Sequence, residues 1–284
     1  MSQLHVVATP IGNVQDISFR AQKLLTTVDI IACEDTRHTR KLLNLLEVGA
    51  KKLVAYHEHN ERASSTYLLQ MILQEGKSVA LVTDAGTPCI SDPGYRLIRE
   101  AHAQGIRVTP LPGPCAVSAL MSISGLPNAR WMFIGFLPHK SLARKAEIES
   151  WLQMAPQTTI VFYESPQRIQ DTLEFVKEIH PQARLCLGRE LTKLHEEIVV
   201  GTPAEVFQTL RARAVIKGEI CVALSPHKDD ASLNPPSVEC LRQEAQSIAT
   251  QNPTHSKKEV AAQLAAKYGL KKKDVYNMLC QDSR

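Results

Sequence analysis

The chain has 284 residues, 44% hydrophobic and 22% charged, with a formal net charge of +4. That length suits about two domains of ~150 residues with real cores, and the composition excludes a disordered or fibrous chain. No apolar run reaches the ~18 residues of a membrane-spanning helix. The opening Met1-Ser2-Gln3-Leu4-His5 reads as no secretory leader, and seven scattered cysteines without a C-x-x-C pair point to reduced thiols in the cytoplasm.

In chain order, Leu4–Thr9 reads as a strand, and its nearly unbroken apolar run marks burial on both faces. Helical spacing follows over Ile17–Val28, then a strand over Asp29–Cys33, a helix over Arg40–Leu46 and a short strand over Leu53–Tyr56. Ser64–Leu73 is helical, Val79–Val82 a strand, Tyr95–Ala103 helical, Val108–Leu111 a strand and Ala116–Ile123 helical. The alternation predicts an α/β domain over residues 1–125 with a mainly parallel sheet. Gly125-Leu126-Pro127-Asn128 reads as a link to a second α/β domain, residues 126–228.

In that second stretch, strands are expected at Trp131–Leu137, Thr158–Tyr163, Arg184–Gly188, Glu196–Val200 and Glu219–Leu224. Helices are expected at Ala143–Met154, Ile169–Ile179 and Ala204–Arg211. The gap between Gly188 and Glu196 is too short for a helical crossover, so those strands pair antiparallel and the sheet is mixed. Ser225–Pro236 reads as a linker into a helical module over residues 237–284. There Ser256 and Glu259 form a capping-box pattern, Val260, Ala261, Leu264, Ala265 and Tyr268 an apolar face, and Gly269 a C-cap. Val275, Tyr276 and Leu279 mark a further short helix, giving a helix-turn-helix-like pattern with Lys271, Lys272 and Lys273 at the turn.

Residues 251–284 carry seven Lys/Arg and three acids, which accounts for the whole net charge; the first 250 residues balance. A basic module on a neutral body fits a polyanionic partner. A plain solvated helix face is the alternative reading.

Three Pro/Gly loops follow apolar strands: Thr9-Pro10-Ile11-Gly12-Asn13, Asp84-Ala85-Gly86-Thr87-Pro88 within residues 82–94, and Leu111-Pro112-Gly113-Pro114. Glycine lets backbone approach a ligand, proline stiffens the loop, and the C-terminal strand ends of a parallel sheet share one edge. Taken singly, each loop is an ordinary turn. A phosphate loop of the G-x-x-x-x-G-K-[ST] kind, a dinucleotide G-x-G-x-x-G, an H-E-x-x-H and a G-x-S-x-G elbow are all absent from the sequence.

The remaining polar motifs stand at strand ends. Cys33-Glu34-Asp35-Thr36-Arg37 reads either as a helix cap or as substrate-binding. In Phe162-Tyr163-Glu164-Ser165-Pro166-Gln167-Arg168, Ser165 and Pro166 are expected to start a helix, leaving Glu164 and Arg168 free to act. In Gly188-Arg189-Glu190-Leu191-Thr192-Lys193, Arg189 and Glu190 read either as an ion pair or as functional groups. A general base is sought at Glu190, Lys193 or Glu164, and contacts to a polyanionic partner at Arg37, Arg168, Arg189 and the three tail lysines.

The ordered set ATPIGN, CEDTR, YHEHNE, DAGTPCISDPG, PGP, FYESPQR and GRELTKLHEE, over residues 4 to about 225, resembles the ribosomal RNA small subunit methyltransferase I family of the tetrapyrrole-methylase superfamily. The resemblance implies S-adenosylmethionine in a cleft between two α/β domains, a homodimer and no metal. It also implies transfer to a ribose 2′-OH of a decoding-region cytidine in 16S rRNA, free or in the assembled small subunit. On this resemblance Pro10, Ile11 and Gly12, then Asp84, Gly86, Thr87 and Pro88, then Pro112 and Gly113 form the cofactor loops. Asp84-Ala85-Gly86-Thr87-Pro88 stands where tetrapyrrole-methylating relatives have Gly-Asp-Pro, which favours RNA over the alternative, a precorrin or uroporphyrinogen acceptor.

Overall fold

The computed structural model describes residues 3–155, 157–213, 215–226, 238–252, 255–268 and 270–280. Strands β1 (Leu4–Val7), β2 (Ile30–Cys33), β3 (Lys52–Ala55), β4 (Val79–Leu81) and β5 (Val108–Leu111) form a wholly parallel sheet in the order β3-β2-β4-β1-β5. Every residue of β2 and β4 is buried, whereas β3 at the edge is half-exposed. Double burial is the reason the inner strands are apolar throughout rather than alternating. Helices α1 (Phe19–Thr27) and α2 (Thr36–Leu45) pack Leu25 and Leu43 against Val7, Ile31 and Ala80. On the other face α3 (Glu61–Glu75) and α4 (Tyr95–Ala103) pack Leu68, Ile72 and Leu97 against Leu4, Ile30 and Leu81.

Side-chain caps move helix ends away from where hydrophobic spacing puts them. Helix α2 opens at Thr36, ahead of the expected Arg40, because Asp35 accepts the Arg37 N–H at 2.7 Å. Ser18 likewise accepts the Ala21 N–H and starts α1 at Phe19.

The second sheet has the order β6-β7-β10-β8-β9, from β6 (Trp131–Phe136), β7 (Thr159–Glu164), β8 (Arg184–Arg189), β9 (Glu197–Gly201) and β10 (Ile220–Ser225). β6 and β7 are parallel and all other pairs antiparallel, including the β8–β9 pair required by the short connection. Successive side chains face opposite sides. Phe162, Leu187 and Val222 meet helices α6 (Ser141–Met154), α7 (Ile169–Ile179) and α8 (Pro203–Arg211).

Val161, Cys186, Cys221 and Ala223 meet α5 (Ala116–Ile123) through Val117, Leu120 and Met121. Thus α5, which follows the last parallel strand, covers the second sheet. Its approach is close: a Cβ on Gly188 would lie 2.8 Å from Leu120 Cδ1. The sheets therefore belong to one unit ending at Pro226.

A second unit comprises α9 (Val238–Gln251), α10 (Lys257–Tyr268) and α11 (Lys272–Cys280). Its core is Leu241, Val260, Ala261, Leu264, Ala265 and Val275. The expected capping box forms: Ser256 N–H and Oγ both donate to Glu259 Oε2 at 2.7 Å. The sequence marked two helices here; α9 is the third. Most of the expected linker, Gly269 and the last four residues lie outside the described residues. Among the described residues no helix is long and apolar enough to cross a membrane.

Candidate active site

The parallel sheet's C-terminal edge is stitched loop to loop. Thr9 and Gly86 exchange backbone hydrogen bonds at 2.8 and 3.1 Å, and Thr9 Oγ1 donates to the Thr83 carbonyl. Thr87 Oγ1 donates to the Pro114 carbonyl at 3.0 Å, tying the second Pro/Gly loop to the third. Asp84 Oδ1 accepts the Asp35 N–H, tying it to the end of β2. The far end of the loop is held from YHEHNE: Glu61 accepts the Gly94 N–H at 3.0 Å, and the Tyr56 hydroxyl accepts the Leu97 N–H.

Between this edge and the second sheet lies a cleft of about 470 Å³, a size usual for small-ligand sites. Of the residues expected to hold a cofactor, Ile11, Asp84, Gly86 and Thr87 line it. Pro10, Gly12, Pro88, Pro112 and Gly113 do not line it; they shape the loops, with Gly113 seated against Ala8. Gly86, at φ +88°, fits under Ile11, whose Cγ2 would lie 3.4 Å from an added Cβ. Glu34 and Asp92 also face the cleft. Burial, with Asp84 beside it, raises the Glu34 carboxyl, and burial with Glu34 and Asp84 nearby pushes Asp92 up to about 6.

The second sheet supplies the opposite wall through Phe136, Tyr163, Gly188, Leu191 and Gly218–Cys221. Gly218–Cys221 had no signal in the sequence, where they read as an ordinary strand start. Ile220 and Cys221 are brought there by the antiparallel pairing of β10 with β7 and β8, and Glu219 by its hydrogen bonds with Glu190.

Glu164 lines the cleft too, but its carboxylate is fully engaged by the protein. It accepts from Arg168 at 2.6 Å, the Ser165 N–H at 2.7 Å and Thr172 Oγ1 at 2.9 Å, with buried Arg144 at 3.8 Å. Arg168 in turn holds the Leu137 carbonyl and Ser165 Oγ. The expected freedom of Glu164 and Arg168 is thus replaced by a buried clamp. Helix α7 starts at Ile169, beyond Pro166, because Ser165 bonds Arg168 instead of capping a helix.

Arg189 bridges strands to Glu197 at 3.0 Å and donates to the carbonyls of Lys217 and His195, so its guanidinium is a tie rather than an open phosphate contact. Glu190 pairs with Lys193 at 2.8 Å, not with Arg189, and accepts the Glu219 N–H at 2.9 Å. Lys193 and that N–H hold the Glu190 carboxyl below its usual range. Lys193 also reaches Glu219 at 3.1 Å. This turn, with Glu190 at φ +52° and Thr192 at φ +64°, sits on the first loop: Thr192 Oγ1 accepts the Asn13 N–H at 3.1 Å. Glu190 and Lys193 are not among the residues that line the cleft, although Glu219, which both contact, is. Arg37 is exposed and paired with Asp35 at 2.8 Å, and Lys271, Lys272 and Lys273 are exposed on the separate helical unit.

Two α/β layers meeting at a cleft floored by Pro/Gly loops define a methylase of the tetrapyrrole type, and the profile of the Tetrapyrrole (Corrin/Porphyrin) Methylases matches residues 3–206. Solved structures agree in fold. Diphthine synthase superposes with a TM-score of 0.59 at 15% identity, covering 79% of this chain and 90% of that one. Uroporphyrin-III-C-methyltransferase from Thermus thermophilus gives 0.53 at 16% identity, covering 78% and 94%.

Closer in sequence is the ribosomal RNA small subunit methyltransferase I of Halalkalibacterium halodurans, 40% identical over 98% of this chain and 95% of the relative. Its Escherichia coli counterpart is 41% identical over 96% and 93%. The chain belongs to the ribosomal RNA small subunit methyltransferase I family.

The methyl donor of this family is S-adenosylmethionine, which brings a sulfonium and an ammonium group, both cationic. The cleft fits it in charge: Glu34, Asp84 and Asp92 repel one another there, and a bound cation relieves that repulsion. It also fits in shape, since Gly86 leaves open the room beside Ile11, and Ile11, Ala116, Leu191 and Ile220 offer an apolar surface for a ring system.

Proposed function

We propose that this protein transfers a methyl group from S-adenosylmethionine to the ribose 2′-OH of a cytidine in the decoding region of 16S rRNA. The observation that carries the reading is full-length similarity to proteins named for small-subunit rRNA methylation, joined to a cleft with an acidic wall. When bound, the cofactor supplies an electrophilic methyl group on sulfur.

The chain's own residues do the rest. Ile11, Asp84, Gly86 and Thr87 hold the cofactor, and Pro10, Gly12, Pro88, Pro112 and Gly113 fix the loops that carry them. Alignment of nucleophile and methyl group is the main demand, worth ~7–11 kcal/mol in well-oriented reactions. The hydroxyl proton passes to a carboxylate in the cleft. Asp92, at about 6, is better matched to that task near neutral pH than Glu190, held acidic by Lys193, or the clamped Glu164.

Arg37 and the lysines Lys271, Lys272 and Lys273 meet RNA phosphates, the enzyme works in the cytoplasm, and two copies form a homodimer. The domain limits are residues 1–125 and 126–228, with a helical RNA-binding module at 237–284. The test is incubation with labelled S-adenosylmethionine and unmethylated small ribosomal subunits, followed by digestion to nucleosides. Labelled 2′-O-methylcytidine is expected; label in any other nucleoside, or in none, refutes the reading.

A further inference from the structure

β6 ends in a bulge. Phe133 and Phe136 pair with Val161 and Tyr163, so three steps on β6 span two on β7. The extra residue is accommodated at Gly135, whose φ of +74° suits glycine. A slip of one residue sends the following side chain to the opposite face, and bulges beside active sites commonly re-aim a side chain in this way. Phe136 consequently lines the cleft while remaining 62% exposed. Its ring is backed by Tyr163 at 5.2 Å, and Tyr163 by Phe133 at 5.0 Å. A Cβ on Gly135 would lie 3.6 Å from Ser91 Oγ, which places this strand end against the loop that carries Asp92.

We infer that Phe136 is the stacking platform for the base of the acceptor nucleotide, which enters the cleft unstacked from its RNA neighbours. The inference rests on the RNA methyltransferase reading above. A 2′-OH brought to a methyl group inside a cleft must arrive on a nucleotide lifted out of its strand, and unstacked bases are held on aromatic faces. Phe136 combines an exposed ring, a rigid backing and a position at the cleft rim beside the acidic wall.

The test compares wild type, Phe136→Ala and Phe136→Trp for methyl transfer to small ribosomal subunits, with S-adenosylmethionine affinity by calorimetry and mass by sedimentation. The Phe136→Ala change should raise KM for subunits about 5- to 100-fold, the worth of one base–aromatic stack. Cofactor affinity and mass should stay unchanged, and Phe136→Trp should restore KM. Transfer by Phe136→Ala equal to wild type overturns the platform alone. A parallel loss of cofactor affinity, or a change of mass, assigns the ring to the cofactor site or a subunit contact and also overturns it. No transfer by the wild-type protein overturns the functional reading and the platform with it.

Discussion

The side-chain stem of Lys193 lies directly over Gly12: a Cβ added to Gly12 would come within 2.4 Å of Lys193 Cγ and 2.7 Å of Thr192 Oγ1. The turn after β8 therefore rests on the first Pro/Gly loop, and the two halves of the cleft are locked there.

Gly12→Ala should wedge this contact apart. Overpacking of this kind costs about 1–3 kcal/mol. Denaturant melts should show that loss together with weaker calorimetric binding of S-adenosylmethionine. Adding Lys193→Ala should recover part of both, since it removes the atom in collision; no recovery would disprove the wedge.

Glu164 has no exposed side-chain surface and Arg144 little. Breaking a buried pair by removing one partner costs about 3–5 kcal/mol. Glu164→Ala should lower stability by that order, and whatever fraction folds should bind S-adenosylmethionine as wild type does. A variant as stable as wild type but catalytically dead would restore Glu164 as a catalytic group.

Asp92 titrates at about 6 in the folded chain against an ordinary value of 3.8. The raised value means the folded state favours the protonated acid. The associated stability is fully present below about 3.8 and is lost as pH climbs through about 6. Asp92→Asn should therefore raise the melting temperature at pH 8, by the equivalent of about 1–2 kcal/mol after solvent screening, and leave it unchanged well below the ordinary value of 3.8. The same variant should lose about 10²- to 10⁴-fold in methyl transfer. Glu34, Asp84 and the Cys89 thiol face the same group, so Glu34→Gln should lower the apparent acid limb of the wild-type rate profile. A gain in stability equal at all pH values would contradict the burial of a charge.

Lys271, Lys272 and Lys273 are exposed around the start of α11, where the helix dipole disfavours cations. Replacing all three by alanine should weaken RNA binding and reduce the slope of log K against log salt by about 2–3. Cofactor affinity, measured in parallel, should not move. An unchanged salt slope would remove these lysines from the RNA interface.

Much of the element order is legible in the chain. Tyr95–Ala103, Val108–Leu111, Ala116–Ile123 and Ile169–Ile179 occur at the residues that periodicity predicts, because strong apolar spacing leaves each segment one way to bury its face. Spacing alone puts the start of α2 at Arg40, but the cap reading of Cys33–Arg37 is the one that holds, since Asp35 opens the helix at Thr36.

The site is legible as loops and illegible as partners. Pro/Gly placement after strands marks the residues 9–13, 82–94 and 111–114, since backbone conformation is encoded locally. Whether a polar side chain faces ligand or protein is not local. Glu164 and Arg168 look free in sequence and are consumed by Arg144 and Leu137, and Arg189 by Glu197.

Local spacing and composition suffice for the alternating elements, the three Pro/Gly loops, the antiparallel β8–β9 pair and the basic tail. Packing between distant segments is what brings α5 onto the second sheet, turns Phe136 and Asp92 toward one cleft, and sets Lys193 on Gly12. The last of these joins residues far apart in the chain, and such meetings are set by packing, which no single stretch of sequence carries.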